Sequence, residues 1–525
     1  MGYPYSAAEN PCQSFSFTDK VIRSMNHLQP IKISLLAAVT GAVISALPAS
    51  GAEFKIPGQY RFRLDSISSF LINSVPEKSR QTFLLENRLR LSPELKFGEN
   101  LRVMAEGDFR GNAGDENGFS SAYADWGRDP GARVDFRQAY LEWKTRFGIL
   151  RAGQMTSTIG MGILANGGED RGDPENELQP VAFGDAYYGD LADRLLFATK
   201  PFSTLSRSWL AEHLVTALAF DLVYRDENAD LLEGDRALQG ALLASLEDER
   251  LRAGIYAAYR NQKDDDGDEL KVWALDFSGH LERELERLKA WYKIETEIAF
   301  TLGETSQLRN QAHPDGVSVR GFGGALRGLF WLPSFSSTTG LELGTASGDS
   351  NLEDGTAYIF KFDPNYHAGL ILFEEVLAEI SAAGAARAAD PGLVGVPSPG
   401  VELLPSNGSI SNAYYIFLTQ SLKPVPRLTT ALGLLYARSA GDSLDPYLTL
   451  RAGENRNFLD RPARDKNLGL ELDGKVSYQI RPASRFRPEV GAEAGVFFPG
   501  KALSDPDGKI PDPIYKVRGR INVRW

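Results

Sequence analysis

Hydrophobic and polar positions alternate along this chain with a period of two, from residue 58 to its last residue. In the final segment, 513–525, Tyr515, Val517, Ile521, Val523 and Trp525 fall on one parity, and Lys516, Arg518, Arg520, Asn522 and Arg524 on the other. Successive side chains of a strand point to opposite faces, so this segment is oily on one face and basic on the other. In 288–300, Leu288, Ala290, Tyr292, Ile294, Ile298 and Phe300 oppose Lys289, Lys293, Glu295 and Glu297. In 468–480, Leu468, Leu470, Leu472, Val476, Tyr478 and Ile480 oppose Glu471, Asp473, Lys475, Ser477 and Gln479. Runs of this length outlast soluble strands of about five or six residues and match tilted membrane strands of roughly 9–11.

Eighteen such segments are predicted, at 58–72, 81–96, 100–112, 133–147, 149–158, 191–201, 212–225, 235–247, 250–262, 268–283, 287–303, 315–332, 337–346, 412–423, 427–439, 467–480, 485–498 and 513–525. Their connections sort by parity. After even-numbered segments they are short, as at 98–100, 147–148, 247–249, 424–426 and 481–484; after odd-numbered ones come 113–132, 159–190, 347–411, 440–466 and 499–512. Short turns on one side and long loops on the other predict an all-β, transmembrane, antiparallel up-and-down barrel of 16–18 strands, with both termini periplasmic. The closing aromatic, Trp525, resembles the terminal residue of bacterial outer-membrane barrels, where it is part of the assembly signal.

Composition agrees. Charged residues make up 24 % and hydrophobic ones 42 %, as expected when only every second strand residue meets lipid. A formal net charge of -12 gives no general attraction to nucleic acid. No apolar run after residue 52 reaches the roughly 20 residues of a membrane helix. Near the start, Lys32, the short apolar core Ile33–Leu47 and the small residues Ser50 and Ala52 read as an export signal over 25–52. Residues 1–24 then form an upstream extension, and 53–525 a single barrel domain. The one cysteine, Cys12, lies in that extension, which excludes disulfides and cysteine metal sites from the exported chain.

Candidate catalytic chemistry is sparse. The exported chain keeps His213, His280, His313 and His367, with no local serine or carboxylate motif around them. A barrel enzyme would need one of them against a serine or carboxylate at the outer rim. The acidic run 264–269 lacks the spacing of a calcium-binding loop and reads as a solvated tip bridging lipopolysaccharide through divalent ions. Loop 347–411 carries a helix-forming stretch at 373–387 and is expected to be a lid over the pore mouth or a surface loop.

What remains is inward-facing charge. Arg61, Arg63 and Asp65 oppose Tyr60, Phe62 and Leu64; Glu86, Arg88 and Arg90 oppose Phe83, Leu85 and Leu89. Arg102, Glu106, Asp108 and Arg110 share a parity, as do Glu142 with Lys144, and Arg485, Arg487 with Glu489. Turning each Arg or Lys toward lipid would cost about 2–4 kcal/mol at the midplane, so these groups line the lumen. Either they pair and fill the wall, or their cations select an anion as rings of charge do in pores. Barrel closure sets Arg61, Arg63, Arg88 and Arg90 beside Arg518, Arg520 and Arg524, which predicts one cationic wall.

Several motifs resemble the alginate-export outer-membrane porins. They are Phe147–Gln154 (FGILRAGQ) with Gly160-Met-Gly162, Leu343–Asp349 followed by Phe360–His367, and Leu468–Asp473 with Val496–Gly500. The resemblance, spread over 133–525, implies a monomeric eighteen-stranded barrel passing an anionic polysaccharide or solutes, with Arg151, Glu471 and Asp473 lining the pore. Loop 347–411 and the mixed-sign lumen depart from that pattern. The expected function is a channel for passive diffusion or export of hydrophilic solutes, with no cofactor and no catalysis. Alternatives are a barrel enzyme at the outer leaflet and a closed barrel serving as an adhesion or assembly platform. Expected partners are outer-membrane lipid and lipopolysaccharide, the barrel-assembly machinery through the Trp525 strand, and the solute.

Overall fold

Antiparallel ladders join the alternating segments in chain order. A computed structural model describes residues 52–75, 82–114, 131–168, 177–185, 189–203, 206–351, 353–480 and 486–525. The expectations for the upstream extension, the export signal and Cys12 lie outside the described residues. Eighteen strands close into one barrel. They are β1 (Gly58–Ile67), β2 (Thr82–Leu91), β3 (Leu101–Gly114), β4 (Gly131–Thr145), β5 (Gly148–Met155), β6 (Leu191–Thr199), β7 (Leu214–Arg225), β8 (Arg236–Glu247) and β9 (Leu251–Lys263). There follow β10 (Glu269–Leu285), β11 (Ala290–Thr305), β12 (Val317–Leu332), β13 (Ser337–Ala346), β14 (Ala413–Val425), β15 (Leu428–Ser439), β16 (Asn467–Gln479), β17 (Arg487–Pro499) and β18 (Ile514–Arg524).

The ring closes because β18 pairs with β17 on one edge and β1 on the other. Trp525 belongs to that seam, exchanging two 3.1 Å backbone hydrogen bonds with Gly58. The outward parity leaves Trp143, Phe220, Leu242, Trp273, Phe277, Leu341 and Val517 exposed, and Leu432 keeps 67 % of its surface bare. Side chains this apolar, arrayed around a whole barrel, suit a hydrocarbon solvent and would aggregate in water.

Two departures from strict alternation have local causes. The predicted segment 81–96 breaks at Ser92-Pro93, because Pro93 has no N–H to give the ladder. Glu94–Phe97 instead forms a separate short strand pairing with Ala52–Lys55 and with the start of β3. Leu468, expected outside with Leu470, is buried inside. The β15–β16 register passes from Ala437↔Gly469 to Arg438↔Asn467, so Leu468 is the extra residue of a bulge and turns inward.

Described parts of loops 159–190 and 347–411 fold into the barrel. In the second, a π-wound turn, Leu372–Leu377, runs into the helix Ala378–Ala388, close to the expected 373–387. Leu370, Ile371, Leu372, Phe373 and Val376 are buried against Ile163 and Phe183 of the first loop and against the wall residues Phe417, Leu435 and Phe497. The apolar core of this protein therefore lies inside the barrel, built mostly by loops.

Candidate functional site

Strand register gathers the charges of the seam. Arg61 and Arg63 grip Glu86 at 2.7 and 3.1 Å, and Arg518 holds Asp65 through two hydrogen bonds of 2.7 and 3.0 Å. Lys475 meets Glu493 at 3.0 Å, and Arg520 pairs with the same carboxylate. Arg90 binds Asp108 with two 2.7 Å hydrogen bonds, and Arg88 donates to Gln59 at 3.1 Å. The cations adjoin one another across the closure, as the alternation requires.

They do not form a bare cationic wall, because the loops deliver acids to them. Asp185 of loop 159–190 sits 3.3 Å from Arg61, 3.2 Å from Arg63, 3.1 Å from Arg520 and 3.8 Å from Arg518. Burial pushes its carboxyl up, but Arg520, Arg61, Arg518 and Arg63 together hold it well below the usual carboxylate range. From loop 347–411, Glu374 lies 3.6 Å from Arg518 and Glu375 2.5 Å from Lys516. Arg61, Arg63, Arg518 and Lys516 are 0–1 % exposed, so loop residues cover this part of the lumen. Six cations here (Arg61, Arg63, Lys475, Lys516, Arg518, Arg520) meet six carboxylates (Asp65, Glu86, Asp185, Glu374, Glu375, Glu493).

Two wall carboxylates latch the loops. Glu471 on β16 accepts the backbone N–H groups of Leu370, Ile371 (2.8 Å) and Leu372 (2.7 Å). Glu297 on β11 accepts those of Met161, Gly162 (2.8 Å), Ile163 (3.1 Å) and Leu164 (3.3 Å). Consecutive N–H groups converging on one anion form a nest, which satisfies a carboxylate that burial would otherwise make costly. Each nest opens on a glycine with positive φ: Gly369 (φ 79) and Gly160 (φ 52). A Cβ would stand 2.7 Å from Glu471 Oε1 at the first and 2.6 Å from Glu297 Oε2 at the second, so a side chain fits neither. Both residues fall within or beside the motifs singled out by sequence.

The remaining predicted residues fall into smaller groups. Glu142 pairs with Arg102 (2.9 Å) and Arg151 (2.7 Å), both near the Tyr140 ring. Lys293 (2.9 Å), Arg327 (3.4 Å) and His280 (3.7 Å) surround Glu295. Arg327 also holds Glu342, which accepts hydrogen bonds from Tyr415 and from Tyr366 of loop 347–411, so a third wall network grips that loop. Asp473 is buried beside Glu471. Lys144 and Arg487 are exposed near strand ends, apart from these clusters, and Arg485 lies outside the described residues. His213 pairs with Asp248 at the short-turn end, and His367 with Glu374 inside the loop core. Asp185, Glu374 and Glu375 escaped the sequence reading because loop residues carry no strand periodicity.

No protein-family model matches the chain, and no curated protein matches it in sequence. In fold it is similar to the crystal structure of OccAB1 from Acinetobacter baumannii, with a TM-score of 0.50, 9 % identity and coverage of 89 % of this chain and 96 % of that one. Pseudomonas aeruginosa OccK5 (OpdH) is also similar, at a TM-score of 0.49, 9 % identity, and 90 % and 98 % coverage. So is P. aeruginosa OccK2 (OpdF), solved in complex with glucuronate, at 0.49, 10 % identity, and 90 % and 97 % coverage. The fold is that of the bacterial outer-membrane porins. The apolar outer face of this porin-type barrel suits a lipid bilayer. The likeness does not single out the alginate-export type that the sequence motifs resemble.

Proposed function

We propose that this porin-type barrel is a passive channel for small hydrophilic solutes, held narrow by two loops latched inside it, with both termini periplasmic. The observation that carries the reading is the pair of nests: Glu297 and Glu471 hold loops 159–190 and 347–411 in a charged lumen through consecutive backbone N–H groups. With the loops in, Asp185, Glu374 and Glu375 join the wall carboxylates Asp65, Glu86 and Glu493 around the seam cations. Withdrawing Asp185, Glu374 and Glu375 would leave the seam cations against Asp65, Glu86 and Glu493 of the wall, and the lumen would then favour anions. An extended polysaccharide needs a clear bore, so alginate-like export would require both loops to leave together. Lipopolysaccharide around the long loops and the assembly machinery at the Trp525 strand are the partners this reading carries.

A closed barrel serving as an adhesion or assembly platform is the second reading, favoured by the complete burial of Arg63 and Arg518. Single-channel recording of the refolded chain in a planar bilayer separates the two. A stable conductance, or one that appears on deleting 370–388, supports the channel. Silence in both forms overturns it and leaves the platform.

A further inference from the structure

Three carboxylates outside the seam meet at the long-loop end of the barrel. Asp190 stands at the root of loop 159–190, just before β6; Glu227 lies in the connection after β7; Asp363 belongs to loop 347–411. One oxygen from each lies within 4.8 Å of the other two. A cluster of acids alone would say little, but two of these are under-satisfied. Asp190 Oδ1 and Glu227 Oε1 are sealed from solvent and accept no hydrogen bond, and both residues line a cavity of about 170 Å³.

The nearby cations are engaged elsewhere. The Arg260 guanidinium pairs with Asp226, and the Lys361 ammonium donates to the carbonyls of Leu403 and Pro405 at 2.6 Å each. Asp363 is held in place by hydrogen bonds from the backbone N–H groups of Asn166 and Asn365, both 2.8 Å. Burial, then the neighbouring Glu227, Asp363 and Asp226, push the Asp190 carboxyl well above its ordinary range; burial, Asp363 and Asp226 do the same to Glu227. Two carboxylate oxygens sealed from water with no hydrogen-bond donor, Asp190 Oδ1 and Glu227 Oε1, are costly unless something positive joins them.

We propose that Asp190, Glu227 and Asp363 bind one calcium ion that staples the two infolded loops to the β7–β8 connection. The donors are all hard oxygens, which suit calcium or magnesium over softer metals. Magnesium keeps several waters and usually binds through one or two carboxylates, whereas calcium takes about 6–8 oxygens and suits three carboxylates converging from separate segments. The site stands whether or not the barrel conducts, since its role is to hold loops.

The test uses the whole refolded chain after chelation. Terbium, a calcium mimic excited through aromatic rings such as Tyr256 in the cavity wall, is expected to luminesce and to be displaced by calcium at about 0.1–1 mM, the range of extracellular sites. Calcium, and magnesium less so, is expected to raise Tm by several degrees, and the Asp190→Asn/Glu227→Gln variant to lose that rise while keeping its barrel. Terbium that never binds, or that calcium does not displace, overturns the proposal on the wild-type chain alone. A calcium-dependent rise retained in the variant overturns it as well. A variant that is simply more stable, with no cation dependence in either form, shows that the trio holds protons instead.

Discussion

Asp185 is the residue on which the seam turns: a single loop carboxylate among four guanidiniums, 6 % exposed, with three of them at 3.1–3.3 Å. Removing one partner of a buried charge network strands the others, at a cost of about 3–5 kcal/mol. Asp185→Asn is expected to lower stability by that order at neutral pH, read from urea unfolding followed by tryptophan fluorescence. The pH dependence follows from the depressed carboxyl. Its stabilising effect is fully present above the unfolded value of about 3.9 and disappears only as pH falls further, through the folded one. The wild-type and Asp185→Asn curves should therefore run parallel above about pH 5 and converge in stronger acid. A gap that closes between pH 7 and 5 would show that another group governs the seam.

At the scale of elements, strands and loops differ in how much of them the sequence carries. Strand faces were legible because lipid imposes one rule on every outward position, and it fails where backbone chemistry interrupts the ladder, as at Pro93 and at the bulges around Arg137 and Leu468. The wall half of the seam was legible for the same reason. Its loop half was not: Asp185 and Glu374 reach Arg518 across hundreds of residues, and only the packing of Leu370–Phe373 on the wall decides that they arrive. The nests lie between these cases, since Gly160 and Gly369 mark tight backbone without naming the carboxylate they serve. Glu471→Gln keeps the side chain's size but loses the charge, weakening hydrogen bonds that are worth about 1.5–3 kcal/mol each when the acceptor is ionised. The expected result is faster proteolysis within 347–411 by an added protease, with the barrel itself intact. Glu297→Gln should do the same for 159–190 and leave 347–411 protected. Equal loss of protection in both loops from either change would mean the latches are one unit.

For the whole molecule, the latches and the charges make a joint prediction that neither makes alone. A barrel whose lumen was neutral by wall residues alone would gain conductance when its loops loosened, without changing its preference between ions. Here part of the charge that offsets the seam cations comes from the loops, because Asp185, Glu374 and Glu375 travel with them while Arg61, Arg63, Lys516, Arg518 and Arg520 stay on the strands. Opening and anion preference should therefore rise together. In a salt gradient across a planar bilayer, the Glu297→Gln/Glu471→Gln double variant is expected to conduct more than wild type and to shift its reversal potential toward the anion. The shift should shrink at high ionic strength, as screening shortens the reach of the uncovered cations to about 3 Å at 1 M salt. Higher conductance with an unmoved reversal potential would break the link, and would mean that the solute path avoids the seam even when the loops are free.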